Sequence, residues 1–194
     1  MLALTVLLFD PLRGDAAARL WVLGFASPAV VQVARGVNYL GSWHALLPGA
    51  LLVFVVFPKA RACWWIWAAA MLAAPAAEQL LKALIGRARP EEASMGFPSG
   101  HATAAATFFG IVIYLAGSLP PRLRVAVRVV SIALMVIVAL ARVILRAHWP
   151  VDTLAGIALG LVLASAASLL ADAPTARTGR ERAEDEPRIR RRAG

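Results

Sequence analysis

The chain has 194 residues, of which 60% are apolar, a mean hydropathy of +0.72 and a formal net charge of +9. Soluble domains sit nearer half apolar; here the apolar residues come in long blocks, which excludes an ordinary water-soluble globule and predicts an all-α, polytopic transmembrane helical bundle. Cys63 is the only cysteine, so an intrachain disulfide is excluded and a cysteine-based metal site is implausible.

The opening stretch, residues 1–9, is apolar but too short to cross a bilayer; five clear spans follow it, or six if it belongs to a further one. Residues 16–40 alternate apolar patches with Arg19, Arg35, Pro28 and glycines. They read as one or two amphipathic helices at the membrane surface, with a poor span as the alternative. Residues 43–58 form the first span, short and charge-free. Residues 62–85 form the second, entered through the aromatic run "CWWIW", and Pro75 is expected to kink it. The third runs over 99–117, the fourth over 122–145 and the fifth over 150–171. Gly156 and Gly160 give the last span a small-xxx-small face suited to close helix packing. Residues 1–172 thus form a single integral-membrane domain, with 1–42 as an apolar and interfacial N-terminal portion. Residues 173–194 are rich in charge and poor in large apolar groups, which predicts a solvated, disordered tail.

The second span ends at "LLKALIGRARP", the third begins at "PSGH", the fourth ends at "ARVILRAHW" and the fifth begins at "PVD". Ends and beginnings alternate, so all four points share one membrane face. That face collects Lys82, Arg87, Arg89, Ser99, Gly100, His101, Arg142, Arg146, His148 and Asp152. Ionisable groups at membrane depth are expensive and point to function. Five cations, two imidazoles and one carboxylate suit a doubly charged oxyanion such as phosphate. The amides of Ser99, Gly100 and His101, at the mouth of the third helix, are expected to be free to favour an anion.

His148 and Asp152 are four apart, which stacks them on one helical face. The carboxylate can then orient the imidazole, leaving Nε2 as a nucleophile, while His101 is available as general acid. Structural readings exist for the single members. Arg87 or Arg146 alone could anchor a helix end, Glu78 could neutralise Lys82 one turn on, and His148 beside Trp149 could be an interfacial pair. His44 has no assigned role. The joint spacing outweighs these separate readings.

Three stretches together resemble the type 2 phosphatidic acid phosphatase superfamily. "KALIGRARP" places six residues between Lys82 and Arg89-Pro90, "PSGH" spans 98–101, and "RVILRAHWPVD" spaces Arg142, His148 and Asp152 as that family does. The resemblance covers roughly residues 28–171. It implies a membrane core, usually of six spans, and a phosphatase needing no metal and no cofactor. It also implies phosphoryl transfer to His148, which Asp152 orients, with His101 as the acid that later activates water. Lys82, Arg89, Ser99, Gly100 and Arg142 would hold the phosphoryl oxygens. Ala141 stands where the family usually has Ser, which removes one hydroxyl donor.

The face opposite the site carries Lys59, Arg61, Arg122, Arg124 and Arg128. The tail adds seven Arg against four acids. By the positive-inside rule that face is cytoplasmic, and the site opens to the periplasm or exterior of an inner or plasma membrane. The expected partner is therefore a lipid phosphate in the bilayer and no nucleic acid, since no aromatic or groove-reading motif accompanies the charge. Undecaprenyl diphosphate leads, because Arg87 and Arg146 exceed the signature set and could meet a second phosphate. Phosphatidylglycerol phosphate is the alternative substrate. A lipid phosphotransferase is the alternative reaction, and an anionic-lipid-binding membrane protein the non-enzyme alternative. The oligomeric state is not encoded in any motif.

Overall fold

The computed structural model describes residues 13–192, with side chains described over 14–173. The helices are α1 (Arg13–Leu23), α2 (Pro28–Tyr39), α3 (Trp43–Val56), α4 (Pro58–Ala62), α5 (Trp64–Ile85), α6 (Gly100–Leu115), α7 (Pro121–Ile144) and α8 (Pro150–Arg192), with a 3-10 turn at Ala116–Ser118. Residues 1–9, and with them the question of a sixth span, lie outside the described residues. Among the described residues the only extended pairing is an isolated bridge between Ala88 and Met95.

Local chemistry sets the helix ends. Pro28, Pro58, Pro121 and Pro150 each open a helix at its first turn, where a missing N–H costs nothing and the ring's φ is already helical. α5 stops at Gly86, whose φ of 65° is left-handed and whose N–H donates to the carbonyl of Lys82 at 2.9 Å. That stop turns the chain out of the helix just before Arg87 and Arg89. Pro75 lies within α5, which runs through it as one helix.

Among the described residues, four helices are long and apolar enough to cross a membrane: Trp64–Ile85, Gly100–Ser118, Pro121–Ile144 and Pro150–Ala173. α3, with 14 residues, is shorter, about 21 Å at the helical rise. Its two ends nevertheless reach opposite faces. Gly41, just before it, packs on the carbonyl of His101, while Lys59, just after it, pairs with Asp172 at 2.8 Å. Asp152 and Asp172 are twenty residues apart on α8, about 30 Å, so the expected first span does connect the faces.

α1 and α2 are bent by 111° at the break before Pro28. Asp15 on α1 bonds to the amide of Val151, and Asn38 on α2 bonds to Arg142, so both ends of the pair meet the site face. The pair packs against α7 and α8, with Leu20, Trp21 and Phe25 exposed on the outside.

The core is a seam of small residues. A Cβ on Gly156 would stand 2.6 Å from the carbonyl of Ser99 and 3.0 Å from Cβ of Ala102; one on Gly160 would stand 2.5 Å from the carbonyl of Thr103. One turn further, a Cβ on Gly110 would stand 2.7 Å from Cβ of Ala164. The spacing of Gly156 and Gly160 thus serves the close packing of α8 on α6, where two backbones touch without side chains between them.

Past Ala173 the helical backbone of α8 continues to Arg192, whereas the composition of 173–194 predicts an unordered tail. Ala, Arg and Glu are strong helix formers, and extending an existing helix requires no new nucleus.

Candidate active site

The predicted alternation of helix ends brings the site together. The loop after α5 folds back on itself, with the N–H of Gly96 donating to the carbonyl of Arg87 at 2.6 Å and that of Arg89 to the carbonyl of Ser94 at 3.0 Å. Trp149 Nε1 donates to the carbonyl of Ala88 at 3.2 Å, which fixes this loop against the entry to α8. The N–H of Ser99 donates to the carbonyl of Asp152 at 2.9 Å, joining the start of α6 to the start of α8. Ser99 is therefore not one of the free amides: the first-turn donors left for an anion are those of Gly100 and His101.

Asp152 is fully buried. Its Oδ1 accepts from Arg87 at 2.7 Å, and its Oδ2 accepts from the N–H of Trp149 at 3.0 Å. Oδ2 also lies 3.5 Å from Nδ1 of His148, on the same helical face as the spacing of four requires. This distance is long for a hydrogen bond, and Nδ1 has no closer partner. Burial depresses the His148 pKa; Asp152 works against this, and Arg142 and Arg89 add to the depression, leaving it below the usual histidine value. His148 is thus neutral at pH 7.

The other predicted residues surround this pair. Arg142, Arg89 and Lys82 act electrostatically on His101, as does His148. Arg142 is held by Asn38, whose side-chain oxygen accepts from its NH1 at 2.7 Å. Arg89 NH1 donates to Glu92 at 3.0 Å. Lys82 pairs with Glu78, as the spacing of four allows, and the Glu78 carboxylate packs directly against Gly100. Several buried polar atoms have no hydrogen-bond partner: Ser99 Oγ, Arg89 Nε, Arg142 Nε and His148 Nδ1 are among them. Native structures rarely tolerate such atoms without a role, and here donors of one kind converge beside a histidine. The arrangement can hold a phosphoryl group against a nucleophilic nitrogen.

Two of the predicted cations go elsewhere. Arg87 does not face a second phosphate: its side chain is 1% exposed and bridges Asp152 and Asp15 at 2.7 Å each. Sequence reasoning treated it as a spare cation because Asp15 is 72 residues away in the chain. Arg146, at a φ of 60°, stays at the surface and pairs with Glu91 at 3.2 Å. Asp15, Asn38 and Glu91 were missed as parts of the site. Asp15 carried a usable signal, the one carboxylate of α1. Asn38 carried none beyond its neighbours.

Comparison with known proteins agrees with this geometry. The PAP2 superfamily model matches residues 63–175. The decaprenylphosphoryl-5-phosphoribose phosphatase of Mycobacterium tuberculosis is 30% identical over 147 residues, covering 69% of this chain and 76% of that one. The phosphatidylglycerophosphatase B of Bacillus subtilis is 31% identical over 149 residues, covering 70% and 72%. Among solved structures, the transmembrane PAP2 type phosphatidylglycerolphosphate phosphatase of Bacillus subtilis superposes with a TM-score of 0.72 at 26% identity, covering 87% of this chain and 90% of that one. LpxE of Aquifex aeolicus shares the fold, with a TM-score of 0.68 at 15% identity over 82% and 97% of the two chains.

Proposed function

The chain belongs to the PAP2 superfamily and is an integral-membrane lipid phosphatase, and on that premise we propose that it releases the terminal phosphate of a membrane lipid through a phosphohistidine on His148. The observation that carries this reading is the set of buried, unpartnered donors at Ser99, Arg89 and Arg142 beside the His148–Asp152 pair.

Nε2 of neutral His148 attacks phosphorus as the bond to the leaving oxygen breaks, and His101 donates a proton to that oxygen. Asp152 stabilises the imidazolium that forms. His101 then takes a proton from water, the water oxygen attacks phosphorus, the P–N bond breaks and inorganic phosphate leaves. Lys82, Arg89, Arg142 and the first-turn amides at Gly100 and His101 stabilise the phosphoryl oxygens while charge moves across them. No step calls for a metal or a cofactor.

An apolar groove between α2 and α7 is lined by Val33, Val37, Ile137, Leu140, Ala141 and Ile144, next in sequence to the paired Asn38 and Arg142. It supports a substrate whose tail stays in lipid while its phosphate reaches Arg142. Ala141, in place of a hydroxyl residue, serves this groove. The engagement of Arg87 with Asp15 favours a phosphomonoester lipid, of which phosphatidylglycerol phosphate is one. A second reading, undecaprenyl diphosphate, rests on Arg146, which stays exposed at the rim. The basic opposite face and tail support a cytoplasmic placement for that side and a periplasmic or exterior opening for the site.

The deciding experiment is phosphate release from both lipids by purified protein in detergent with excess chelator, beside His148→Ala. Release that survives chelation and disappears in the variant supports the proposal, and the ratio of rates selects the substrate. Transfer to a second lipid without free phosphate would make the protein a phosphotransferase. Binding without turnover would make it an anionic-lipid binder.

A further inference from the structure

α1 brings two charged side chains, Asp15 and Arg19, one helical turn apart, to the entry of α8. Oδ2 of Asp15 accepts from Arg87 at 2.7 Å and its Oδ1 accepts from the N–H of Val151 at 2.9 Å. Arg87 in turn donates to Oδ1 of Asp152 at 2.7 Å. The side chains of Asp15, Arg87 and Asp152 are 1%, 1% and 0% exposed. Arg19 and Arg87 both lie over the Trp149 ring, at 5.5 and 5.3 Å from its centroid, and Trp149 is the residue after His148.

A buried guanidinium shared by two carboxylates is costly to assemble in an apolar layer, and its retention calls for a reason other than stability. That reason is visible at Asp152. Oδ1 accepts from Arg87 and Oδ2 from the N–H of Trp149, so the carboxylate is held at both oxygens, with Oδ2 turned toward Nδ1 of His148 at 3.5 Å. We propose that Asp15 and Arg87 are positioning residues of the phosphatase reaction, holding Asp152 against His148, so that the N-terminal helix is part of the active-site machinery. This rests on the reading of His148 as nucleophile. Asp15 fixes the fork of Arg87 from one side and the first turn of α8 from the other. The charged groups facing His148 are Asp152 from α8, Arg142 from α7, Arg89 from the loop after α5 and His101 from α6. Removing the Asp15 charge leaves Arg87 to act more strongly on Asp152 and weakens the stabilisation of a protonated His148.

The test uses the full chain in detergent and dioctanoyl phosphatidic acid as probe, with kcat and KM measured across the pH range. Asp15→Asn, nearly isosteric, is expected to lower kcat about ten- to a hundredfold, the scale of orienting groups behind a reactive residue, with KM within about twofold. The acid limb of the profile moves to lower pH. In an Asp152→Asn background Asp15→Asn adds little further loss, because both act through one group. Arg87→Lys, which keeps the charge and loses the fork, shows the same kcat signature. Unchanged kcat, a loss confined to KM, or multiplicative losses in the double variant would overturn the proposal. So would recovery of neither variant as folded protein, since the contacts would then be holding the fold and not the histidine. His148→Ala separates the two levels: release that persists in it defeats the phosphohistidine reading and leaves the Asp15–Arg87–Asp152 geometry to be reinterpreted.

Discussion

The N–H of Ser99 donates to the carbonyl of Asp152 at 2.9 Å, across 53 residues of chain, and so ties the helix that carries His101 in its first turn to the helix that His148 precedes. The bond is possible because Gly156 lies one turn further along α8, where any side chain would strike the carbonyl of Ser99. The distance between the two proposed catalytic histidines is therefore controlled by glycines that take no part in chemistry.

Gly160→Ala tests this control. Its new Cβ would meet the carbonyl of Thr103 at 2.5 Å, a backbone atom that cannot move aside alone. The expected cost is about 1–3 kcal/mol, typical of overpacking, with a matching fall in activity. Thermal unfolding in detergent measures the first and phosphate release the second; an unchanged midpoint would mean the helices separate freely.

The histidine roles differ in their substrate dependence. His148→Ala should remove turnover, by roughly a thousandfold or more, as losing a nucleophile does. His101→Ala should cost most where the leaving group is poor and least for a nitrophenyl phosphate, whose departing oxygen needs little protonation. Equal losses across leaving groups would remove His101 from the acid role.

Burial holds the His148 pKa below the usual value of about 6.5. The imidazole must be neutral to attack, so kcat/KM should stay level as pH falls to about 6.5 and decline only below it. An acid limb above that value would contradict the buried environment. The pH profile of the wild type decides this without any mutation.

Glu78 sets its carboxylate against Gly100, at the helix N-terminus proposed to hold the phosphoryl group, with its partner Lys82 one turn on. Glu78→Gln should let inorganic phosphate inhibit more strongly, by about tenfold, since a charged competitor near a helix N-terminus is removed. Product-inhibition constants for the two proteins provide the comparison.

Arg146→Ala should raise KM for a diphosphate lipid more than for a monophosphate lipid. Arg146 is exposed and paired with Glu91 across the mouth of the site, so the expected effect is modest, about two- to fivefold at rim charges. Equal effects on both lipids would end the second-phosphate reading.

Much of this protein is determined by sequence alone. Apolar blocks of spanning length, separated by Pro, Gly and charge, define the helices, because lipid demands that each segment satisfy its own backbone bonds. The alternation of their ends decides which residues share a face, and that places Lys82, Arg89, His101, Arg142, His148 and Asp152 together. Pairing across long stretches of chain was decided only by the tertiary structure. Arg87 looks like Arg89 in the sequence, yet one turns inward to Asp15 and Asp152 while the other pairs with Glu92 in its own loop. The N-terminal pair reads as a surface ledge because its periodicity is amphipathic; that its bend brings Asp15 and Asn38 to the site is seen only in the tertiary structure. Hydropathy reports how each helix meets lipid; the partner of a buried charge depends on which backbones can approach one another, and here glycine and alanine surfaces far along the chain set that approach.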